Sequence, residues 1–248
     1  MDLSMQVIVV ASQKGGSGKT TLSGHIAVEA QRQGAGPVAL IDADPQGSLA
    51  KWWNARSAPE PHFIQSVFAN LQHDLDWARQ QGFKLVVIDT PPAVTRAISE
   101  VVAFADLVVA PTRPSPHDLR AIGPTVDIVD AHNKPLIFVV NGATPRARIT
   151  SEAAIALSQH GTVSPTIIHQ RVDFAASMID GRTVMEIDPV CRSAREVHGL
   201  WNYLQEKLQR IENYQHAEAN ASYHANQPGI AFNTYMSNAQ RQFGRRAD

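Results

Sequence analysis

Six short apolar runs rich in β-branched residues punctuate the chain: Val7 to Ala11, Val38 to Ile41, Leu85 to Ile88, Leu107 to Ala110, Leu136 to Val140 and Thr166 to Ile168. Several are continuous rather than alternating, the pattern of strands covered on both faces. Between them the apolar residues fall at helical spacing. Leu22, Ile26 and Ala30 follow the first run, and Leu119, Ile122, Val126 and Val129 follow the fourth. Pro124 lies inside that last pattern, where it must kink the helix or reset its start. A further helix is expected near residues 151–159, and Val197, Leu200, Trp201, Leu204, Leu208 and Ile211 mark a final amphipathic one. Trp52 and Trp53 read as packing residues on a helix after the second run. The alternation predicts an α/β fold, a doubly wound, mainly parallel sheet with helices on both faces. Ligands of such sheets gather at the carboxyl ends of the strands, so the polar residues just after each run are the candidates for chemistry.

The first of these places is the most informative. Residues 13–21 read Gln-Lys-Gly-Gly-Ser-Gly-Lys-Thr-Thr, between a predicted strand and a predicted helix. Gly15, Gly16 and Gly18 have no Cβ, so the backbone can curl and turn successive N–H groups inward at an anion. The new helix adds the positive end of its dipole. Lys19 would neutralise the outer phosphates of a nucleotide and Thr20 would offer its hydroxyl to Mg²⁺. Gln13 stands where the strict Gly-x4-Gly-Lys-[Ser/Thr] pattern has its first glycine, and Lys14 follows it.

The string from Lys14 to Thr21 resembles the deviant Walker A motif of the ParA/MinD group of P-loop ATPases, closest to the small plasmid-type ParA proteins. The resemblance implies a P-loop NTPase fold, ATP and Mg²⁺ as cofactors, and nucleotide contacts from Lys14, Gly15, Gly16, Ser17, Gly18, Lys19, Thr20 and Thr21. It also implies that Lys14 reaches across a homodimer to the partner's ATP. A cation there stabilises charge as bonds rearrange, the task other NTPases give to an arginine finger.

Other strand ends extend the pattern. Asp42-Ala-Asp44-Pro-Gln46 follows the second run; a carboxylate at this place can hold a metal-bound water or orient the attacking one. The resemblance assigns hydrolysis to Asp44, while Asp42 is read equally as part of the metal shell or as a fixer of the loop. The third run closes on Asp89-Thr-Pro-Pro, a Walker B pattern in which a buried strand places the acid on the Mg²⁺ shell. The metal set is thus Thr20, Asp44 and Asp89, the aspartates through water, and the catalytic set Lys14, Lys19 and Asp44. Asn141, at the end of the fifth run, carries paired donor and acceptor able to read adenine's edge, and the resemblance places the corresponding Asn at the base; Asn-Gly is also simply a good turn. Arg113 and His117, in the proline-rich loop after the fourth run, read as solvated. Arg171, Arg182, Arg192 and Arg195 are the candidates for a local DNA-phosphate patch, with Arg146 and Arg148 nearby.

Composition narrows the function further. The 248 residues carry a formal net charge of -1, so DNA contact must come from a local patch rather than a global basic field. One cysteine, Cys191, excludes an internal disulfide and an iron–sulfur or zinc site built by cysteines alone. No apolar run approaches the ~18 residues of a membrane span. The start, Met1-Asp-Leu-Ser, lacks a secretory pattern, and Met5 is an alternative first residue. A cytoplasmic protein is expected, nucleoid-associated when ATP-bound. An ATPase domain is expected over residues 1–212 and a polar, flexible tail over residues 213–248.

The function that the resemblance implies is an ATPase that dimerises on ATP, holds nonspecific DNA as that dimer, and positions plasmid, chromosome or other cargo with a ParB-like partner that stimulates weak hydrolysis. Two alternatives stand beside it. A MinD-like membrane switch needs an amphipathic basic helix that the stretch after Asn213 does not supply, so no stable membrane association is expected. A scaffold that keeps ATP without turning it over would have no use for Lys14 and Asp44.

Overall fold

The computed structural model describes residues 5–92 and 96–225, leaving out the side chains of Arg96, Ala97 and residues 219–225. The choice between Met1 and Met5 as first residue, and the last part of the expected tail, lie outside the described residues.

The strands are β1 (Gln6–Val10), β2 (Val38–Asp42), β3 (His62–Ile64), β4 (Leu85–Asp89), β5 (Leu107–Thr112), β6 (Leu136–Ala143), β7 (Thr162–Val163) and β8 (Ile168–His169). The helices are α1 (Lys19–Arg32), α2 (Ser48–Asn54), α3 (Leu71–Gln80), α4 (Arg96–Ala103), α5 (Pro116–Arg120), α6 (Gly123–Ala131), α7 (Arg148–Ser158), α8 (Val172–Ser177), α9 (Val184–Ile187) and α10 (Arg192–Ala225). The sheet runs β3-β2-β4-β1-β5-β6-β7, and β8 continues the edge alongside the end of β6. Every pairing is parallel. This is the doubly wound sheet that the apolar runs predict.

Continuous apolar strands are needed because both faces are covered. On one face Val7, Val9, Ala39, Ile41, Val86 and Ile88 pack with Leu75 of α3, Val101 of α4 and Val129 of α6. The alternate residues Ile8, Val10, Leu40 and Val87 are buried on the other face, where α1 packs on β2 and β4. At the centre, β1 lies between β4 and β5 with Val10 level with Asp89. That register puts the end of the first strand beside the acid that ends β4.

Some expectations change. β3 and β7 are absent from the six predicted runs; each is at most three residues long and too polar to show as an apolar run. The strand expected at Thr166 begins at Ile168. Pro124 resets the helix: α5 ends at Arg120, and α6 starts at Gly123 with the proline in its first turn, where its missing N–H costs nothing.

The chain forms one compact unit through Gln205 and a second from Glu206 onward, so the division falls inside α10. In the first unit Val197, Leu200, Trp201 and Leu204 are buried. In the second, the helix passes the expected boundary at 212 and runs to Ala225. The first part of the polar stretch from 213 is therefore helical, as far as Ala225. The i,i+4 pairs Arg210–Glu206 and His216–Glu212 favour that continuation without any apolar stripe. Among the described residues no helix is long and apolar enough to cross a membrane.

Candidate functional site

The loop between β1 and α1 takes the shape that its glycines permit. Gly16 and Gly18 have φ of 73° and 98°, in the left-handed region that a side chain resists. Gly18 immediately precedes α1, so the first N–H groups of that helix open onto the loop. Two features inside it fit an anion. Lys19 is only 7% exposed, its ammonium 3.5 Å from the Lys14 carbonyl. Burial lowers its pKa, against the attraction of Asp89 and Asp44. Ser17 is buried with a hydroxyl that has no hydrogen-bond partner among the described residues. A polyphosphate would supply the acceptors and the charge that both lack. Lys14, by contrast, is exposed.

Asp89 meets α1 from the end of β4. Thr20 Oγ1 donates to its Oδ2 at 2.6 Å, and Ser23 Oγ donates to its Oδ1 at 3.3 Å. The carboxyl is buried, which pushes its pKa up to about 7, with the Thr20 bond opposing. A divalent cation reverses that balance, because its charge outweighs the burial. Among the described residues no group of three His, Cys, Asp or Glu could hold a metal. Thr20 and Asp89 fit the sparse protein contribution to Mg²⁺ when phosphate oxygens and water complete the octahedron. The ion would neutralise the phosphate oxygens during hydrolysis. Next to Asp89, Thr90 donates to the Val10 carbonyl at 2.9 Å. Pro92 then approaches the loop, 4.0 Å from where a Cβ on Gly15 would stand.

At the end of β2 the two aspartates separate in role. Asp42 accepts from the Asp44 N–H at 3.0 Å and from the Ala50 N–H at 2.9 Å. It therefore fixes the loop to the start of α2, the second of the two readings given to it. Asp44 accepts from the Gln46 N–H through Oδ1 at 2.9 Å and borders a cavity of about 190 Å³ lined by Ile41, Pro45, Val67 and Phe68. It is half-buried.

Asn141 makes a contact that the sequence did not suggest. Its Nδ2 donates to the Ser17 carbonyl at 2.6 Å and stands 2.1 Å from where a Cβ on Gly18 would be. In this structure the amide grips the phosphate loop itself. Arg113 is exposed, as its reading as a solvated loop residue expects, and lies beside the phosphate loop. Its guanidinium lies 3.8 Å from a Cβ position on Gly16, and its Nε is 3.7 Å from one on Gly142.

The arginines assigned to DNA divide. Arg171 makes a two-pronged pair with Glu196 at 2.7 Å, and Glu196 also accepts from the His169 N–H. Arg182 pairs with Asp180 through a 2.6 Å contact on the surface. Arg192 and Arg195, at the start of α10, are exposed, as is Arg146, while Arg148 pairs with Glu152. Of the four candidates two are thus engaged by carboxylates and two are exposed.

A buried link behind the site was not foreseen. His25, on α1, holds the Thr21 carbonyl at 2.7 Å through Nδ1 and accepts from the Val184 N–H at 3.2 Å through Nε2. Burial lowers its pKa to about 4. The same segment carries Glu186, which closes a capping box with Thr183 and pairs with Arg56 at 2.8 Å. Arg56 also stacks on Trp52, 5.0 Å from its ring centre. The Trp52 ring in turn comes within 3.1 Å of a Cβ position on Gly24. Helix α1, the segment from α2 to Arg56 and the late segment at residues 181–187 are thus fastened together. Ser23 could have been found in the sequence, being three residues after Thr20 on one helix face. The links from His25 to Val184 and from Arg56 to Glu186 could not, since each spans more than 100 positions.

Comparison with known proteins agrees with this geometry. Residues 8–184 match the family described as the CobQ/CobB/MinD/ParA nucleotide binding domain. The chain belongs to this family. It is a P-loop ATPase of the ParA/MinD group. Maintenance of carboxysome distribution protein A of Halothiobacillus neapolitanus is 30% identical over 199 residues, 76% of this chain and 91% of that protein. Protein ParA of Rhizobium radiobacter is 37% identical over 121 residues, 46% of this chain and 51% of that protein. Among solved structures, a Cyanothece McdA variant in complex with ATP superposes with a TM-score of 0.67 at 17% identity, covering 84% of this chain and 96% of that one. The cell division protein MinD of Aquifex aeolicus gives a TM-score of 0.67 at 17% identity, over 81% and 97%. These superpositions carry the fold, and the family expected from the Lys14 to Thr21 string is the one found.

Proposed function

We propose that this positioning ATPase works as an ATP-dependent dimer switch. Two protomers bury a pair of Mg·ATP between them, each lending Lys14 to the other's triphosphate, and Asp44 orients the water that attacks. The observation that carries the reading is the contrast between the two lysines of one loop. Lys19 is buried inside its own loop, while Lys14, five residues earlier, is exposed at its outer face. A cation placed that way is available to a second subunit. ATP as ligand is further supported by the nucleotide-binding family and by the ATP in the McdA complex.

In its ATP-bound form the dimer holds nonspecific DNA, with the exposed arginines of the α10 start as contacts, and a ParB-like partner stimulates hydrolysis and release. The cargo is a plasmid, a chromosome region or a protein-bounded body; named relatives include both a ParA protein and a carboxysome distribution protein. Light scattering with Mg·ATP, Mg·ADP and no nucleotide tests the switch. Dimers are expected with ATP alone, and monomers at saturating Mg·ATP would leave the switch without a mechanism. Lys19→Ala serves as the control that removes ATP binding.

A further inference from the structure

We propose that Asn141 is a positioning residue for the phosphate loop, aiming the Gly18 N–H at bound phosphates whatever base the nucleotide carries. The proposal rests on the reading of residues 13–21 as the phosphate loop.

The placement begins in the sheet. β6 runs in register with β5 through Val140, and its pairing with β8 slips between Asn141 and Ala143. Gly142, with φ of 64°, is the residue that absorbs the slip. The break frees the Asn141 side chain to cross to β1's loop, where Nδ2 donates to the Ser17 carbonyl at 2.6 Å. This contact joins positions 124 apart in the chain.

The consequence follows from the peptide plane. In a trans peptide the carbonyl of one residue and the N–H of the next point in opposite directions and turn together. Holding the Ser17 carbonyl against β6 therefore directs the Gly18 N–H to the other side of the loop, where an anion takes it. Gly18 answers the same amide sterically, since a Cβ there would stand 2.1 Å from Nδ2. Its φ of 98° and this contact each require glycine. The bond to Ser17 uses one of the two amide hydrogens, so the role toward the loop does not depend on any contact of the amide with a base.

The test uses the full chain. Wild type, Asn141→Ala and Asn141→Leu, which keeps bulk over Gly18 without the donor, are titrated calorimetrically with Mg·ATP, Mg·GTP and Mg·tripolyphosphate. Both variants are expected to weaken all three ligands by one common factor, about five- to tenfold for a lost hydrogen bond. The nucleotide-free variants are expected to remain folded, with a thermal midpoint lowered by a few degrees for the lost hydrogen bond. The Gly18 amide resonance, followed by ¹⁵N–¹H NMR, should move downfield on binding in wild type and less so in the variants. Loss confined to ATP, with GTP and tripolyphosphate unaffected, would make Asn141 a base reader and overturn the proposal. An unchanged Gly18 shift in Asn141→Ala would also overturn it. If wild type binds none of the three ligands, the phosphate-loop reading itself fails.

Discussion

His25 and Val184 are 159 positions apart, yet the imidazole Nε2 accepts the Val184 N–H at 3.2 Å while Nδ1 donates to the Thr21 carbonyl at 2.7 Å. The two bonds select one neutral tautomer. Protonation would set an N–H against an N–H inside the protein. Burial lowers the pKa from 6.5 to about 4, so between those values the unfolded chain binds the proton and the folded one does not. This contribution is fully present above pH 6.5, falls as pH drops through the interval, and is gone below about 4. Its size is on the order of 3 kcal/mol. Asp89, raised to about 7, runs the opposite way in the nucleotide-free protein. The measurement is therefore the difference in thermal unfolding between wild type and His25→Asn, which should narrow as pH falls from 6.5 to 4. A constant difference would remove the titration from the account.

Asp44→Ala is expected to keep ATP affinity and trap the ATP-bound dimer. Single-turnover hydrolysis should fall at least a hundredfold, as loss of a residue that orients the attacking water implies. Hydrolysis at the native rate would take that carboxylate out of the reaction.

Asp42→Ala should behave differently. It removes acceptors from the Asp44 and Ala50 N–H groups, and the expected loss is about 2 kcal/mol of stability, read by denaturant midpoint. Hydrolysis should slow as well, because Asp44 loses the support that holds its loop.

Lys14→Ala is expected to retain most of the nucleotide affinity of the monomer and to lose ATP-dependent dimerisation. Equilibrium sedimentation with Mg·ATP checks this. Dimers of wild-type strength would end the role in trans.

Arg56→Ala leaves Glu186 and the Gly181 carbonyl without their partner. The arginine side chain is 2% exposed, so the loss should be about 3 kcal/mol, near 10 °C in Tm for a domain of this size. Calorimetric unfolding reads it directly. A change below a degree would mean that the late segment is held without Arg56, by the His25 and Trp52 contacts.

The arginine set makes a divided prediction. Charge reversal at Arg192 and Arg195 should weaken nonspecific DNA retention by the ATP-bound protein and flatten its salt dependence, leaving ATP binding intact. Arg171→Ala should lower stability instead, since it frees a Glu196 that two guanidinium nitrogens now hold. Unchanged DNA retention in the double reversal would move the contact elsewhere.

What could be read from residue order is what depends on neighbours in the chain. The strand, glycine turn and helix around residues 7–30 form one local unit, and its chemistry follows from Gly15 to Thr20 because a curled backbone, a lysine and a hydroxyl suffice to name a phosphate. The acid ending an apolar strand at Asp89 is local in the same way. The parallel sheet followed from runs long and apolar enough to demand cover on both faces. Only the folded chain decided the rest. Asp42 could be called metal-shell or loop-fixing until its oxygens were seen on Asp44 and Ala50. That Asn141 reaches the Ser17 carbonyl, 124 positions away, could not be read from its place at a strand end. Among the candidate arginines, Glu196 holds Arg171 and Asp180 holds Arg182, which their order in the chain did not show. Spacing along a chain does not report such contacts, because a hydrogen bond is settled by whichever partner the packing of distant segments brings within 3 Å.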